Sequence, residues 1–158
     1  MILWRIAAET RHYSADDLSG AGAAKRPGRW NEAGQAVLYT APTIAMAVLE
    51  TVAHIDDGGL PLNRYLIEIT VPDSTWSHKE ILNLHPLDIT WSAIPAGRGS
   101  VKPGSDWIRG CTSALLVVPS VIVPEESVVV INTSHPEAAK LKARKVRRFE
   151  YNRLFRMV

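Results

Sequence analysis

Residues 28–50, GRWNEAGQAVLYTAPTIAMAVLE, bring three kinds of functional side chain close together in the chain. Arg29 ends a glycine-rich loop, Tyr39 lies in a short apolar run typical of a buried strand, and Glu50 lies on an almost wholly apolar helical segment. A buried carboxylate is costly unless it is paired or hydrogen-bonded, so Glu50 indicates a special environment. An arginine, an aromatic ring and a carboxylate together suit a site for a phosphate-bearing aromatic nucleotide.

Short apolar runs outside this stretch predict further strands. Residues 64–71 alternate Tyr65, Ile67, Ile69 and Val71 on one face, as a half-buried strand should. The strands predicted from such runs cover residues 2–7, 37–41, 64–71, 114–118, 121–124 and 127–132.

Helices are predicted between some of these strands. Pro42-Thr43 opens a helix that runs to about His54, because apolar residues then recur at helical spacing, and Gly58-Gly59 end it. Shorter helices are expected within the loop of residues 9–34, around residues 106–112, and after His135-Pro136 as far as about residue 142.

The composition is that of one globular domain in a chain of 158 residues with 46% hydrophobic and 22% charged residues. A net charge of only +2 does not suggest nucleic-acid binding along the whole surface. The single cysteine, Cys111, excludes an internal disulfide, fits a reducing compartment and is expected to be a buried structural thiol. Without a signal-type segment or a membrane-length apolar run, we expect a soluble, cytoplasmic protein.

The end of the chain is basic, with Lys and Arg concentrated in residues 140–156. Phe149 and Tyr151 alternate with polar residues there, which favours an extended edge segment, since edge strands often carry Lys and Arg. A basic surface for a partner or for nucleic acid is the alternative.

Motifs for other chemistries are weak. Gly20-Ala21-Gly22 is an incomplete dinucleotide fingerprint and does not link a strand to a helix. Glu50 and His54 lie four residues apart on the predicted helix, but spacing suggests no third ligand, so no metal site is predicted.

The order and spacing of several short motifs resemble the RES-domain proteins, the toxin half of bacterial RES–Xre toxin–antitoxin pairs. The resemblance extends over nearly the whole chain. The motifs that carry it are Leu3-Trp4-Arg5-Ile6, Leu18-Ser19-Gly20, Gly28-Arg29-Trp30-Asn31, Val37-Leu38-Tyr39-Thr40-Ala41, Ala47-Val48-Leu49-Glu50, Leu115-Leu116-Val117-Val118-Pro119-Ser120, Val123-Pro124-Glu125, Ile131-Asn132 and His135-Pro136.

The resemblance implies a single RES domain over residues 1–158 with an α+β, ADP-ribosyltransferase-like fold. Two packed, mostly antiparallel sheets with flanking helices would surround a nucleotide cleft. It also implies a toxin that depletes NAD by cleaving the nicotinamide–ribose bond, by hydrolysis or phosphorolysis, and so arrests growth. A mono-ADP-ribosyltransferase that modifies a cellular protein is the alternative, and a nucleic-acid-binding or nuclease toxin using the basic tail is a third reading.

The Arg, Glu and Ser that give the family its name match Arg29, Glu50 and Ser120. The guanidinium of Arg29 suits the NAD diphosphate, and the ring of Tyr39 suits stacking on nicotinamide. Glu50 would stabilise the positive charge that develops on the ribose as the bond breaks, as carboxylates do in glycosidases. The structural alternative is that Glu50 forms an ion pair with Arg5 or Arg29.

The remaining candidates are weaker. Ser120 would bond the nicotinamide amide or orient Arg29, and Asn31 and Asn132 would contact ribose. The loop departs from the family pattern at Lys25, Arg26 and Pro27, to which no family role is transferred.

The resemblance also implies the ligands and partners. NAD is the substrate, inorganic phosphate is a candidate co-substrate, and no other cofactor and no metal are expected. A helical, Xre-type antitoxin would cover the cleft bounded by Arg29 and Glu50. A protein target of ADP-ribosylation and a homodimer are left open, and no membrane partner is expected.

Overall fold

The computed structural model describes residues 1–55, 60–83 and 89–154, which form seven strands in two sheets. The first sheet has the order β1-β3-β7 and the second β2-β6-β5-β4. Within the described residues only the β4–β5 pair is parallel. The strands are β1 (Ile2–Ala8), β2 (Val37–Thr40), β3 (Arg64–Thr70), β4 (Glu80–Ile81), β5 (Leu115–Pro119), β6 (Ser127–Asn132) and β7 (Lys142–Phe149).

In the described part of the chain, four α-helices flank the sheets: α1 (Ala21–Lys25), α2 (Ile44–Val52), α3 (Asp73–Ser77) and α4 (Arg98–Gly110). Short 3-10 helices cover Ile89–Ser92, Pro136–Lys140 and Tyr151–Leu154. No helix within these described ranges is long and apolar enough to cross a membrane. The α+β architecture with two mostly antiparallel sheets confirms the expected fold class.

Two apolar clusters hold the layers together. The first joins Leu3 and Ile69 of the first sheet to Leu38, Leu115 and Ile131 of the second, so the two sheets pack against each other. The second cluster lies on the other side of both sheets and includes the tryptophans of the loops and of α4. Its larger members are Ile6, Trp30, Met46, Leu66, Trp91, Trp107, Val118, Val130 and Phe149.

Most predicted strands are confirmed within two residues of their bounds, because alternating burial produces a local sequence period. The basic tail is confirmed as an extended edge segment over β7, the terminal strand of the first sheet, whereas Tyr151 and Arg153 lie in a 3-10 helix and were wrongly expected to be extended. Its Arg144 pairs with Glu68 at 2.9 Å and its Lys145 pairs with Glu9. Gly58-Gly59, the predicted stop of the second helix, and Arg156 lie outside the described residues.

The segment after β5 was predicted to be extended, and this is wrong. Residues 121–125 form bends and a turn, because the Ser120 hydroxyl oxygen accepts the N–H groups of Ile122 and Val123, each at 3.1 Å. The helix predicted to run to about residue 142 is a 3-10 turn that ends at Lys140, immediately before β7. Helix α2 begins at Ile44, after Pro42, with Thr43 as its N-cap.

Helix α4 is longer than the predicted helix and begins at Arg98. The sequence pattern does not predict the early turns of α4, because they contain glycine, which weakens helices. Tertiary packing requires one of them: a Cβ on Gly104 would lie 2.0 Å from the carbonyl oxygen of Trp30. Cys111 follows the helix in the left-handed region, with φ 49°, and is half-buried rather than buried as expected, because the helix ends there at the surface.

We expect Gly104→Ala to destabilise the fold by roughly 1–3 kcal/mol, because the added methyl group meets rigid backbone. Thermal unfolding measures the effect. Gly22→Ala is the matched control, since a Cβ there meets nothing within 4 Å. Equal unfolding temperatures for the two variants would show that α4 does not need this close approach.

The loop that follows β1 is anchored by one carboxylate. Glu9 accepts hydrogen bonds from Lys145 Nζ, from Ala15 N–H at 3.0 Å and from Ser14 Oγ at 3.4 Å. The bond from Lys145, followed by that from Ala15, lowers the pKa of Glu9 below its ordinary value of 4.5. Stabilisation from this carboxylate is therefore present above pH 4.5 and disappears as the pH falls through the lowered folded pKa.

We expect Glu9→Gln to lower the free energy of unfolding at neutral pH and to flatten its decline below about pH 5. Urea unfolding across the acid range measures both effects. Glu125→Gln, at an exposed carboxylate, controls for the change in net charge. An acid decline as steep in Glu9→Gln as in the parent protein would remove Glu9 from this role.

Candidate active site

Tyr39 on β2 joins the strand to the loop that precedes it. Its hydroxyl accepts the N–H of Trp30 at 2.9 Å and donates to Asn31 Oδ1 at 2.8 Å. Burial raises the pKa of Tyr39 to about 12, so the hydroxyl keeps its proton. A Cβ on Gly28 would lie 2.6 Å from Cζ of the ring, so the loop can cross Tyr39 only with glycine at that position.

Asn31 is buried, and its side-chain amide makes hydrogen bonds to other residues around the loop. Its Oδ1 also accepts the N–H of Gly28 at 2.8 Å. Its Nδ2 donates to the carbonyl oxygens of Ala23 at 3.0 Å and of Gln35 at 3.1 Å. Asn31 therefore shapes the loop that carries Arg29.

Arg29 points from this loop toward the segment before α4. Its Nη1 donates to the carbonyl oxygens of Trp91 at 2.7 Å and of Ala93 at 2.9 Å. The rings of Trp30 and Trp91 stack at 6.2 Å beside it. Burial lowers the pKa of Arg29, and the nearby charge of Glu50 opposes that shift. The charges of Arg29 and Glu50 therefore interact.

Glu50, on α2, is held by Ser120 at the end of β5. The Ser120 hydroxyl donates to Glu50 Oε1 at 2.6 Å, although the two residues lie 70 positions apart. Because the Ser120 oxygen accepts the N–H groups of Ile122 and Val123, its proton is directed at the carboxylate. Ser120 is almost fully buried, whereas Glu50 is half-buried, so the carboxylate remains accessible to a ligand.

The structure therefore brings Arg29, Tyr39, Glu50 and Ser120 into one cluster, which we call the RYES cluster. Ser120 contacts Glu50 and not Arg29, one of the two partners considered for it. No ion pair within 4.0 Å joins Glu50 to Arg5 or Arg29 in the described part of the chain, so the structural ion-pair alternative is wrong.

Asn132 lies apart from the contacts of the RYES cluster. It is fully buried at the end of β6, its Nδ2 donates to the Ile108 carbonyl at 3.2 Å, and its Oδ1 accepts the Ser134 N–H at 3.1 Å. These contacts fix the turn after β6 and tie it to α4.

Sequence reasoning missed a cleft of about 450 Å³ lined by Arg5, Tyr13 and Leu38 together with Lys25, Arg26 and Arg64 of neighbouring segments. Leu38 precedes Tyr39 on β2, so the cleft and the RYES cluster lie on opposite faces of that strand. Burial lowers the pKa of Arg5, and the charge of Asp17 opposes that shift. The sequence feature that could have indicated this cleft is Arg5, a charged residue within an apolar run between Leu3 and Ala7.

Chemically, the RYES cluster presents an oriented carboxylate beside a guanidinium, and the cleft presents several cations. A carboxylate of this kind can stabilise a developing cation, and a guanidinium can bind phosphate or ribose oxygens. β2 is the terminal strand of its sheet, and Ala41, the residue after it, exchanges two N–H···O=C bonds of 2.8 Å with Trp4 of β1.

Comparison with known proteins identifies the family of the chain. A sequence model of the RES domain matches residues 2–152. The chain is 54% identical over 149 residues to a protein of Sphingobium sp. (strain YBL2) named "Prs ADP-ribosylating toxin", which covers 94% of this chain and 92% of that protein. It is 37% identical over 144 residues to "Toxin Res" of Pseudomonas putida, covering 90% and 91%.

The fold is similar to a solved structure of the M. tuberculosis MbcT–MbcA toxin–antitoxin complex. The TM-score is 0.70 at 17% identity, covering 94% of this chain and 83% of the solved chain. "Toxin Res" of Yersinia enterocolitica is a further relative, 35% identical over 137 residues and covering 85% and 86%. By its sequence match from residue 2 to residue 152 and by these relatives, the chain belongs to the RES-domain family.

Proposed function

We propose that this RES-domain toxin cleaves the nicotinamide–ribose bond of NAD at the RYES cluster. The observation that carries the proposal is the Glu50 carboxylate, oriented by the buried Ser120 hydroxyl at 2.6 Å. RES-domain toxins consume NAD, and the relative at 54% identity is named as an ADP-ribosylating toxin. Both activities begin with the same bond cleavage.

In this mechanism the C–N bond breaks with its electron pair leaving on neutral nicotinamide. The ribose then carries positive charge, which Glu50 stabilises. An acceptor oxygen bonds to the ribosyl carbon and releases its proton to solvent water. Ser120 acts through Glu50, because its hydrogen bond holds the carboxylate in one orientation before NAD binds.

The arginines serve the phosphate end of NAD in this proposal. Nη1 of Arg29 holds the loop at Trp91 and Ala93, which leaves its Nη2 and Nε for the ligand. Arg5 lies in the cleft on the other face of β2, and no hydrogen bond or ion pair joins its side chain to the described residues. A half-buried guanidinium without such a partner suits the diphosphate.

The residues predicted for nicotinamide and ribose take revised roles. The Tyr39 hydroxyl and the Asn31 amide are engaged by the loop, so we assign both to positioning Arg29. Asn132 supports the turn after β6 and is not assigned a ligand contact.

The acceptor distinguishes two candidate functions. Water or inorganic phosphate as acceptor gives NAD depletion, and a protein side chain gives mono-ADP-ribosylation. The second candidate is favoured by the name of the relative at 54% identity. We further propose that the toxin acts in the cytoplasm and that a helical antitoxin, of Xre type, blocks the entrance to the RYES cluster.

Glu50→Gln should lower kcat for NAD loss on the order of 100-fold or more, because the amide keeps an acceptor for Ser120 but not the charge. Nicotinamide release, with and without phosphate or a bacterial lysate, measures turnover and identifies the acceptor. The unfolding temperature should change little. Parental turnover by a folded Glu50→Gln variant would exclude Glu50 as the stabilising carboxylate.

Ser120→Ala should lower kcat about 10-fold and leave KM for NAD nearly unchanged, because it frees Glu50 to rotate without removing its charge. Ser113→Ala is the matched control: Ser113 is also a buried serine and accepts Trp107 Nε1–H at 2.9 Å, but it contacts no member of the RYES cluster among the described residues. If both substitutions lower kcat equally, Ser120 has only a structural role.

A further inference from the structure

The cleft on the Leu38 face of β2 carries more positive charge than the diphosphate of NAD requires. Arg5, Lys25, Arg26 and Arg64 line it, whereas Asp17 is the one carboxylate among its described lining residues. Four positive charges less the negative charge of Asp17 leave the described lining with a net charge of +3, whereas the diphosphate carries two negative charges. The cleft therefore stays positive with a diphosphate bound, and Lys25 and Arg26 are available to another anion.

Lys25 and Arg26 are also free to bind a ligand. Neither side chain makes a hydrogen bond or ion pair within the part of the chain that the structure describes. Some other exposed cations of the described residues are paired: Lys102 with Asp106, Arg109 with Glu32, and Arg144 with Glu68. Lys25 ends the short helix α1 and Arg26 follows it, and both line the cleft together with the half-buried Arg5.

An aromatic ring lines the same cleft. Tyr13 is 48% exposed there, on a loop closed by its own hydrogen bonds. Thr10 N–H donates to the Tyr13 carbonyl at 3.1 Å, and Thr10 Oγ1 accepts the Tyr13 N–H at 3.2 Å. Glu9 anchors this loop through Ala15 N–H and Lys145. An exposed ring on an anchored loop offers a stacking surface for a base.

We propose that this cleft binds the adenosine end of the dinucleotide and that Lys25 and Arg26 bind a phosphate on its 2′-oxygen. The substrates would then include NADP as well as NAD. The turnover test of this inference depends on the proposed function, whereas its binding test does not. A phosphomonoester carries close to two negative charges at neutral pH, and a lysine–arginine pair matches that charge.

Calorimetry with adenosine 2′-monophosphate, adenosine and inorganic phosphate tests the binding step. We expect the parent protein to bind adenosine 2′-monophosphate at least 10-fold more tightly than either fragment. The double variant Lys25→Ala with Arg26→Ala should lose that preference. The matched control is Arg11→Ala with Lys142→Ala, which removes two exposed cations that do not line the cleft.

Two binding results would overturn the inference. One is equal affinity of the parent protein for adenosine 2′-monophosphate and for free phosphate, because the site would then recognise phosphate alone. The other is an equal loss of affinity in the Lys25/Arg26 variant and the Arg11/Lys142 control, because net charge would then explain binding.

Turnover gives the second test. We expect the parent enzyme to release nicotinamide from NADP, and the Lys25/Arg26 double variant to lower the ratio of kcat/KM for NADP to that for NAD about 10-fold. Turnover of NAD without turnover of NADP would overturn the inference. Absence of turnover with either dinucleotide, together with the expected binding of adenosine 2′-monophosphate, would overturn the proposed function and support the adenosine cleft.

Discussion

The hydroxyl of Tyr39 connects the loop of the candidate site to the sheet. It accepts the N–H of Trp30 and donates to Asn31, and Asn31 in turn holds the backbone at Gly28. The loop is therefore tied to β2 on both sides of Arg29. Because burial keeps the Tyr39 hydroxyl protonated, the same two bonds persist throughout the neutral pH range.

Other parts of the fold are built on this junction. Helix α4 packs so closely on the Trp30 carbonyl that only glycine fits at position 104, and the rings of Trp30 and Trp91 stack. The segment before α4 then offers two carbonyl oxygens to Arg29. The direction of the guanidinium thus results from packing at Trp30, which contacts no predicted ligand group other than Tyr39.

In the candidate site, the charged groups of Glu50 and Arg29 are held in place by neutral groups and not by an ion pair with each other. Glu50 is stabilised by a hydroxyl whose own oxygen is occupied by two backbone N–H groups. Arg29 lies near enough to Glu50 for their charges to interact, and its strong hydrogen bonds go to carbonyl oxygens. A direct ion pair would neutralise both groups before a ligand arrived. Neutral partners hold each side chain and leave its charge available.

The sequence by itself determined the main strands and the second helix, because alternating burial and helical spacing are local properties. The four residues of the RYES cluster were indicated by short motifs together with the family resemblance that these motifs carry. Only the tertiary structure decided that Ser120 orients Glu50 from 70 residues away, that Arg5 lines a cationic cleft, and that a glycine-containing segment becomes α4. Each of these features depends on contacts between segments that are distant in the chain. Such contacts determine the partners of a polar group, but they produce no periodic pattern in the sequence around that group.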